Sequence, residues 1–124
     1  MRILVCGGRG YDRTAAFNWL EENLKDEISV ATGISAFAIE AIIHGGTRGA
    51  DEGADDFAQS EGIKIMRFLA DWKHFGKAAG PMRNQKMLDE GHPDIVVAFP
   101  GGRGTADMVN RARAAGVPVI EVPE

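Results

Sequence analysis

VVAFPGGRGT, residues 96–105, decides the fold of this chain. An apolar run ends at a proline, and three glycines and a threonine follow within positions 101–105. This pattern predicts a buried strand that leads through a glycine-rich turn into a helix. Glycines allow a ligand to approach the backbone closely. Phosphate is the ligand favoured by backbone N–H groups at the positive end of a helix dipole.

Two further glycine-rich turns follow apolar runs, VCGGRG at 5–10 and HGGTRGAD at 44–51. Strands alternate with helices and are almost wholly apolar, which indicates a parallel sheet covered by helices on both faces. We predict an α/β fold in which one domain, 1–124, holds five strands in the order 3-2-1-4-5. Turns 7–10 and 100–105 then lie side by side between strands one and four, where such folds place ligands.

The same patterns predict where the elements begin and end. Residues 29–38 and 69–80 are expected to be irregular connections, and Asp12 or Thr14 is expected to cap the first helix. The remaining helices are predicted at 50–61, 81–90 and 105–115, and the strands at 2–6, 38–44, 63–68, 94–99 and 117–122.

Composition excludes several classes of function. The net charge of −4 argues against a general duplex-DNA binder but allows a small anionic ligand in a locally basic cleft. The single cysteine, Cys6, ends an apolar run, so it is expected to be a buried small hydrophobe in a reducing compartment. No apolar run reaches the roughly 18 residues of a membrane span, and no secretory leader is seen. We therefore expect a cytoplasmic protein without a membrane partner.

Metal binding is not predicted, because His44, His74 and His92 lack the spacing of metal ligands. Magnesium is expected only as the companion of a polyphosphate ligand. His44 ends an apolar run and is interpreted as a hydrogen-bonded structural histidine.

The turn at 100–105 holds the first candidate ligand residues, Gly101, Gly102, Gly104 and Thr105. Its glycines permit close approach, and the threonine hydroxyl can cap the helix or bond a phosphate oxygen. The alternative is a tight strand-to-helix turn without a ligand.

The turn at 7–11 supplies Gly7 and Gly8 as backbone donors, Arg9 as a partner for phosphate and Tyr11 as a stacking surface for a base. The alternative is a solvated arginine and a packed tyrosine.

In the turn at 44–51, Gly45 and Gly46 are predicted to form a second nest of N–H donors. Asp51 would bond ribose hydroxyls or cap the following helix.

A fourth candidate segment, AGPMRNQKM at 79–87, places Arg83 and Asn84 in the first turn of a predicted helix. An arginine there opposes the helix dipole and indicates a bound anion. Trp72 is a candidate base-stacking wall or lid. With Phe68 and Phe75 it is also a candidate surface for a homodimer.

Together, GGRGY (7–11), HGGTRGAD (44–51), ADWKHFGKAAGPMRN (70–84) and FPGGRGT (99–105) resemble the YspA-like branch of the SLOG superfamily. That superfamily is Rossmann-like, a three-layer sandwich, and includes the LOG cytokinin-activating phosphoribohydrolases and the lysine decarboxylase-like proteins. The resemblance implies a nucleotide or nucleotide-derived ligand at the strand ends and a homodimer.

The chain departs from the LOG pattern Pro-Gly-Gly-x-Gly-Thr-x-x-Glu at its last position, where Met108 stands in place of the glutamate. Methionine cannot transfer a proton. Asp107 precedes it and, with Arg83, would be the catalytic pair if the chain is an enzyme. Asn84 stands where the LOG pattern has a lysine.

Three functions remain open at this point. The first is a nucleotide-binding sensor or carrier domain. The second is a nucleoside-monophosphate phosphoribohydrolase of the LOG type, and the third is a nucleic-acid-associated or interaction module, for which the acidic balance is unfavourable.

Overall fold

A five-stranded parallel sheet lies at the centre of the protein, and the computed structural model describes all residues from Met1 to Glu124. The strand order is β3-β2-β1-β4-β5, which confirms the predicted topology. The strands are β1 Arg2–Cys6, β2 Ala41–His44, β3 Lys64–Arg67, β4 Ile95–Ala98 and β5 Val119–Glu121. All four strand pairs are parallel, and Cys6 pairs with Ala98 at the ends of β1 and β4.

Helices connect the strands and cover both faces of the sheet. They are α1 Arg13–Thr32, α2 Ala50–Glu61, α3 Trp72–Phe75, α4 Ala79–Gly91 and α5 Arg103–Ala114, with a 3₁₀ turn at Gly76–Ala78. None of these helices combines the length and the apolar character needed to cross a membrane.

The alternation of side chains along β1 separates two hydrophobic cores. Ile3 and Val5 pack with the buried residues of α1 and α2 on one face, whereas Leu4 and Cys6 pack with those of α4 and α5 on the other. Fully burying an aliphatic side chain contributes about 1.5–3 kcal/mol, so strands that are apolar on both faces require both helical layers. The three-layer α/β architecture predicted from the sequence is confirmed.

Helix α1 is longer than predicted, because residues 29–32 are helical rather than irregular. Ser29 and Thr32 donate their hydroxyls to carbonyl oxygens one turn earlier, which satisfies these polar side chains within the helix. Gly33 then ends the helix in a left-handed conformation with φ of 75°. Asp12 caps the start and accepts a hydrogen bond from the Ala15 N–H.

The segment 69–80 is more ordered than predicted. Asp71 accepts a hydrogen bond from the His74 N–H and starts α3, and α4 begins at Ala79 rather than at Pro81. A proline fits there because the first N–H groups of a helix have no partner within it. Arg83 therefore lies in the second turn of α4, and the argument from its opposition to the helix dipole is wrong.

Candidate functional site

One cavity of about 740 Å³ opens at the carboxyl ends of β1, β2 and β4. It lies beside the β1–β4 pair, where the chain crosses from one half of the sheet to the other. Its walls come from the turns after these strands, from the α3 segment and from the facing sides of α4 and α5. Most of the residues predicted to bind a ligand or act in catalysis line it: Gly7, Gly8, Arg9, Gly45, Asp51, Trp72, Arg83, Asn84, Gly102, Gly104, Thr105 and Asp107.

Three predicted residues lie outside the lining of this cavity, namely Tyr11, Gly46 and Gly101. The ring of Tyr11 packs on Phe99, with 5.0 Å between the ring centroids, beside the core formed with α1 and α2. The tyrosine is thus part of the packing under its turn, as the alternative interpretation held.

The first and last glycine turns touch each other, as the topology predicts. The Gly8 N–H donates to the carbonyl oxygen of Pro100 at 2.9 Å. A Cβ at Gly8 would lie 2.9 Å from that same oxygen, and a Cβ at Gly101 would lie 2.7 Å from the Gly8 nitrogen. Gly8 and Gly101 are therefore required by the contact between the turns, and the prediction that the Gly8 amide is free for phosphate is wrong.

Gly102 and Gly104 stand in a different environment. A Cβ at either position would meet nothing within 4 Å, and neither glycine has a left-handed φ. Beside them, the N–H groups of Arg103, Gly104 and Thr105 in the first turn of α5 have no partner within the chain. This open backbone with unpaired donors at a helix N-terminus can accept an anion.

The turn after β2 is closed on itself, which makes the predicted donor nest there wrong. The Gly45 N–H donates to Asp51 Oδ2 at 3.1 Å, and the Gly46 N–H donates to His44 Nδ1 at 2.9 Å. Thr47 adds two more bonds to Asp51 Oδ2, from its N–H at 3.3 Å and from its hydroxyl at 2.9 Å.

The start of α2 is bonded by Glu52, whose Oε1 accepts from the Gly49 N–H at 3.0 Å, and not by Asp51, which instead holds the turn after β2 together. Asp51 is only 4% exposed, and its second oxygen, Oδ1, has no hydrogen-bond partner. Burial raises the pKa of Asp51, although the bonds from Thr47 and the charge of Arg83 oppose that effect. The ionised form of this carboxyl group is therefore disfavoured where the group adjoins the cavity.

His44 is a structural histidine, as predicted. Because Nδ1 accepts from Gly46, Nε2 carries the proton and donates it to Asp55 Oδ2 at 2.6 Å. The Arg67 guanidinium bonds the same carboxylate and, with the other bonds there, holds the pKa of Asp55 well below its ordinary value.

Asn84 joins α4 to α5 beneath the cavity. It is 4% exposed, and its Nδ2 donates to the Gly104 carbonyl oxygen at 3.1 Å and to Asp107 Oδ2 at 3.0 Å. Its Oδ1 accepts from Arg83 Nε at 3.1 Å. The amide that was predicted to meet a ligand is thus used to position the first turn of α5.

Asp107 is the ionised carboxylate of the cavity wall. Burial acts to raise the pKa of Asp107, but bonds from Arg111 and Asn84 outweigh burial and lower it. The neighbouring Met108 points away, fully buried in the core with Leu4. The position of the LOG glutamate therefore faces the interior of this protein.

The charged side chains that line the cavity are four basic ones and two carboxylates. The basic ones are Arg9, Lys77, Arg83 and Arg103, and the carboxylates are Asp51 and Asp107. None of the four basic side chains forms an ion pair within 4.0 Å. Burial lowers the pKa of Arg83, whose Nη1 donates to the Gly45 carbonyl oxygen at 2.7 Å. Arg83 is thus partly buried without a carboxylate partner, whereas Arg9, Lys77 and Arg103 are exposed, and an anionic ligand in the cavity would stabilise all four.

Sequence reasoning missed Lys77, Arg103 and Thr47 as cavity residues. The position of Arg103 inside the glycine motif was a usable signal, since it falls in the same turn as the predicted phosphate contacts. No pattern in the sequence indicates that the 3₁₀ turn at Gly76–Ala78 brings Lys77 to the cavity.

Chemistry based on a thiol or a protein-held metal has little support among the cavity residues. Burial raises the pKa of the Cys6 thiol to about 12, so the nucleophilic thiolate is disfavoured. No three or more His, Cys, Asp and Glu side chains are grouped as metal ligands would be.

A model of the family described as "YspA, cpYpsA-related SLOG family" matches residues 1–75. The chain belongs to this SLOG family. The Gene 61 protein of Mycobacterium phage D29 is 38% identical over 127 residues, which cover 96% of this chain and 94% of that protein. The X-ray structure of TM1055 shares the fold, with a TM-score of 0.64 and 21% identity over 95% of this chain and 71% of that one. Membership of the SLOG family confirms the resemblance seen in the motifs and supports a nucleotide-related role at the level of the family.

Proposed function

We propose that this SLOG-family protein binds a nucleotide or a nucleotide-derived small molecule, as a sensor or carrier domain. The observation that carries the proposal is the convergence of four unpaired basic side chains and the free first-turn amides of α5 on one cavity. Backbone donors at a helix N-terminus together with arginines are a recurrent arrangement for phosphate.

The phosphate would lie against the N–H groups of Arg103, Gly104 and Thr105, because Gly102 and Gly104 leave the backbone open there. Arg83 faces the same space from α4 and is already oriented by its bonds to Gly45 and Asn84. Little side-chain entropy is then lost when the guanidinium binds an anion. Magnesium would enter only with a ligand that carries several phosphates.

Calorimetric titration of the full chain with nucleoside mono- and diphosphates and with orthophosphate tests the proposal. Arg83→Gln should weaken nucleotide binding about tenfold or more, since a hydrogen bond to a charged group contributes roughly 1.5–3 kcal/mol. Arg48→Gln is the matched control, because Arg48 is exposed, forms no ion pair and does not line the cavity. Absence of binding for the whole panel, or equal losses in both variants, would refute the proposal.

A phosphoribohydrolase is the second candidate function, and the carboxylate of Asp107 in the cavity wall favours it. Asp107 would stabilise the cation that develops on the ribose as the N-glycosidic bond breaks, and Arg83 would orient the phosphate. Chromatography of nucleoside monophosphates after incubation detects the free base. Release that Asp107→Asn abolishes would establish the enzyme, whereas tight binding without release supports the sensor or carrier.

A further inference from the structure

Trp72 lies at the rim of the cavity without being held by the hydrophobic core. Trp72 is 46% exposed and belongs to neither of the two buried hydrophobic clusters. One edge of the indole rests on Gly80 of α4, where a Cβ would come within 3.0 Å of the ring atom Cη2. The ring is therefore positioned by close contact with α4, while much of its surface faces solvent at the cavity.

The guanidinium of Arg9 reaches over this ring from the turn after β1, and its central carbon lies 5.5 Å from the ring centroid. Arg9 has no carboxylate partner within 4.0 Å. A guanidinium is planar and delocalised, and stacks on an indole as a nucleobase does. The contact places a cation within cation–π distance of the indole face at the mouth of the cavity, so this face is open to a group that comes from the cavity.

We propose that Trp72 is the stacking platform for the base of the ligand, and that the base replaces the Arg9 guanidinium on the indole face. Arg9, displaced from the ring, then pairs with the phosphate of the same ligand. This inference rests on the proposed function and narrows the ligand to a molecule that carries both a phosphate and a planar base.

A second copy of the chain is a less suitable occupant of this surface. Covering Trp72 with another protein surface would remove water from the unpaired guanidinium of Arg9, which is costly without a compensating anion. A nucleotide brings that anion with it, because its phosphate is attached to the group that stacks.

Tryptophan fluorescence distinguishes the contact made by the base from the contacts made by the rest of the ligand. The measurement is practicable because the chain has only two tryptophans. Trp19 packs edge-on against Phe99 beside the core, so Trp19→Phe leaves Trp72 as the only indole reporter. The four nucleoside 5′-monophosphates should change the emission of Trp72, whereas ribose 5-phosphate should bind with little change. A melting curve of Trp19→Phe verifies that the variant is folded.

Affinity measurements with Trp72→Ala complete the test. Loss of a base–aromatic stack should lower the affinity for nucleotides about tenfold or more and change the affinity for ribose 5-phosphate by no more than about twofold. Trp72→Phe should retain part of the nucleotide affinity, and Gly80→Ala, which displaces the ring, should behave like a weaker Trp72→Ala.

The results that overturn the inference differ from those that overturn the proposed function. Equal affinity of the wild type for nucleotides and ribose 5-phosphate would refute the stacking role alone. So would a Trp72→Ala variant that loses affinity for nucleotides and for ribose 5-phosphate by the same factor. A change from dimer to monomer in Trp72→Ala with unaltered nucleotide affinity would assign this surface to a second copy instead. Failure of every phosphorylated ligand to bind would overturn the proposed function as well.

Discussion

At the scale of single residues, Asp51 differs from every other buried polar side chain in having an oxygen without a hydrogen-bond partner. Burial raises the pKa of Asp51, so its ionised form is less favourable in the folded protein than in the unfolded chain. The sign follows from proton linkage: the contribution of this group to stability is fully present below the unfolded pKa of about 3.9. It is lost as the pH rises through the higher pKa of the folded state.

We therefore predict that Asp51→Asn changes the pH dependence of stability. Asparagine keeps one oxygen for the bonds from Gly45 and Thr47 but carries no charge to be desolvated. The free energy of unfolding of the wild type should fall relative to that of the variant as the pH rises from about 4 to 7. Urea titrations at several pH values measure this difference. Two parallel profiles would contradict the prediction.

The glycines of the last turn yield a second prediction at the residue scale. Gly104→Ala should keep or raise the stability, by up to about 1 kcal/mol, because its Cβ meets nothing and alanine favours the helix. The same change should weaken phosphate and nucleotide binding, since the methyl group projects from the open backbone.

Gly101→Ala is the contrasting variant and should destabilise the fold by about 1–3 kcal/mol, because its Cβ would press against the Gly8 nitrogen. Gly10→Ala controls for the general effect of the substitution, as its Cβ meets nothing and lies outside the cavity. Thermal melting and calorimetry report the two effects separately. Equal nucleotide affinity in Gly104→Ala and the wild type would show that the phosphate lies elsewhere.

The sequence motif could not distinguish these two kinds of glycine. Gly101 and Gly102 are adjacent in the chain, yet one is pressed against the neighbouring turn and the other is open. That difference depends on Gly8, which lies far away in the sequence and is brought close only by the pairing of β1 with β4. The same long-range contact uses the Gly8 amide, which sequence reasoning had assigned to the ligand.

At the scale of elements, Asn84 links α4 to the first turn of α5, and so couples the fold to the candidate phosphate site. Asn84→Ala should lower the free energy of unfolding by about 1–3 kcal/mol, because the Gly104 carbonyl and Asp107 lose a buried partner. Nucleotide affinity should fall too, as α5 is no longer held in register with Arg83.

Lys86→Ala is the control for this helix, because Lys86 is exposed, lies outside the cavity lining and pairs only with Glu90 of the same helix, at 3.9 Å. Its effect on stability should stay within about 0.5 kcal/mol. Chemical denaturation and nucleotide titration of both variants make the comparison. An Asn84→Ala protein with unchanged nucleotide affinity would show that the link serves stability alone.

Element boundaries were predicted less well than element types, and α4 shows why this matters for function. The proline at 81 predicts the start of the helix two residues too late, because α4 begins at Ala79. Because the helix starts two residues earlier than predicted, Arg83 lies in the second turn. The prediction of a bound anion from its opposition to the helix dipole therefore loses its basis. The place of Arg83 in the cavity is fixed instead by contacts with Gly45 and Asn84, which no local pattern reveals.

For the whole molecule, topology was predictable because each of its causes is local. The central residues of β1, β2 and β4 are apolar on both faces and require helices on both sides of the sheet, and glycine turns after β1 and β4 mark the point where the chain changes direction across the sheet. The volume of the cavity and the pairing of its charges were not predictable. They depend on how the α3 segment and α4 close over the strand ends.

Charge is distributed unevenly over the molecule, and this leads to the last prediction. The protein has a net charge of −4, yet the cavity holds four basic side chains and only two carboxylates. A small anion is therefore attracted locally, whereas a nucleic acid, which covers a wide surface, meets mostly repulsion.

Raising sodium chloride from about 0.05 to 0.5 M should weaken nucleotide binding severalfold, since the screening length shortens from more than 10 Å to only a few ångströms. The effect should be smaller in Arg83→Gln, which lacks one of the attracting charges. Single-stranded oligonucleotides should neither bind nor compete with nucleoside monophosphates at about 0.15 M salt. Competition by an oligonucleotide with a steep salt dependence would instead favour the nucleic-acid module, because only contacts with many phosphates produce that slope.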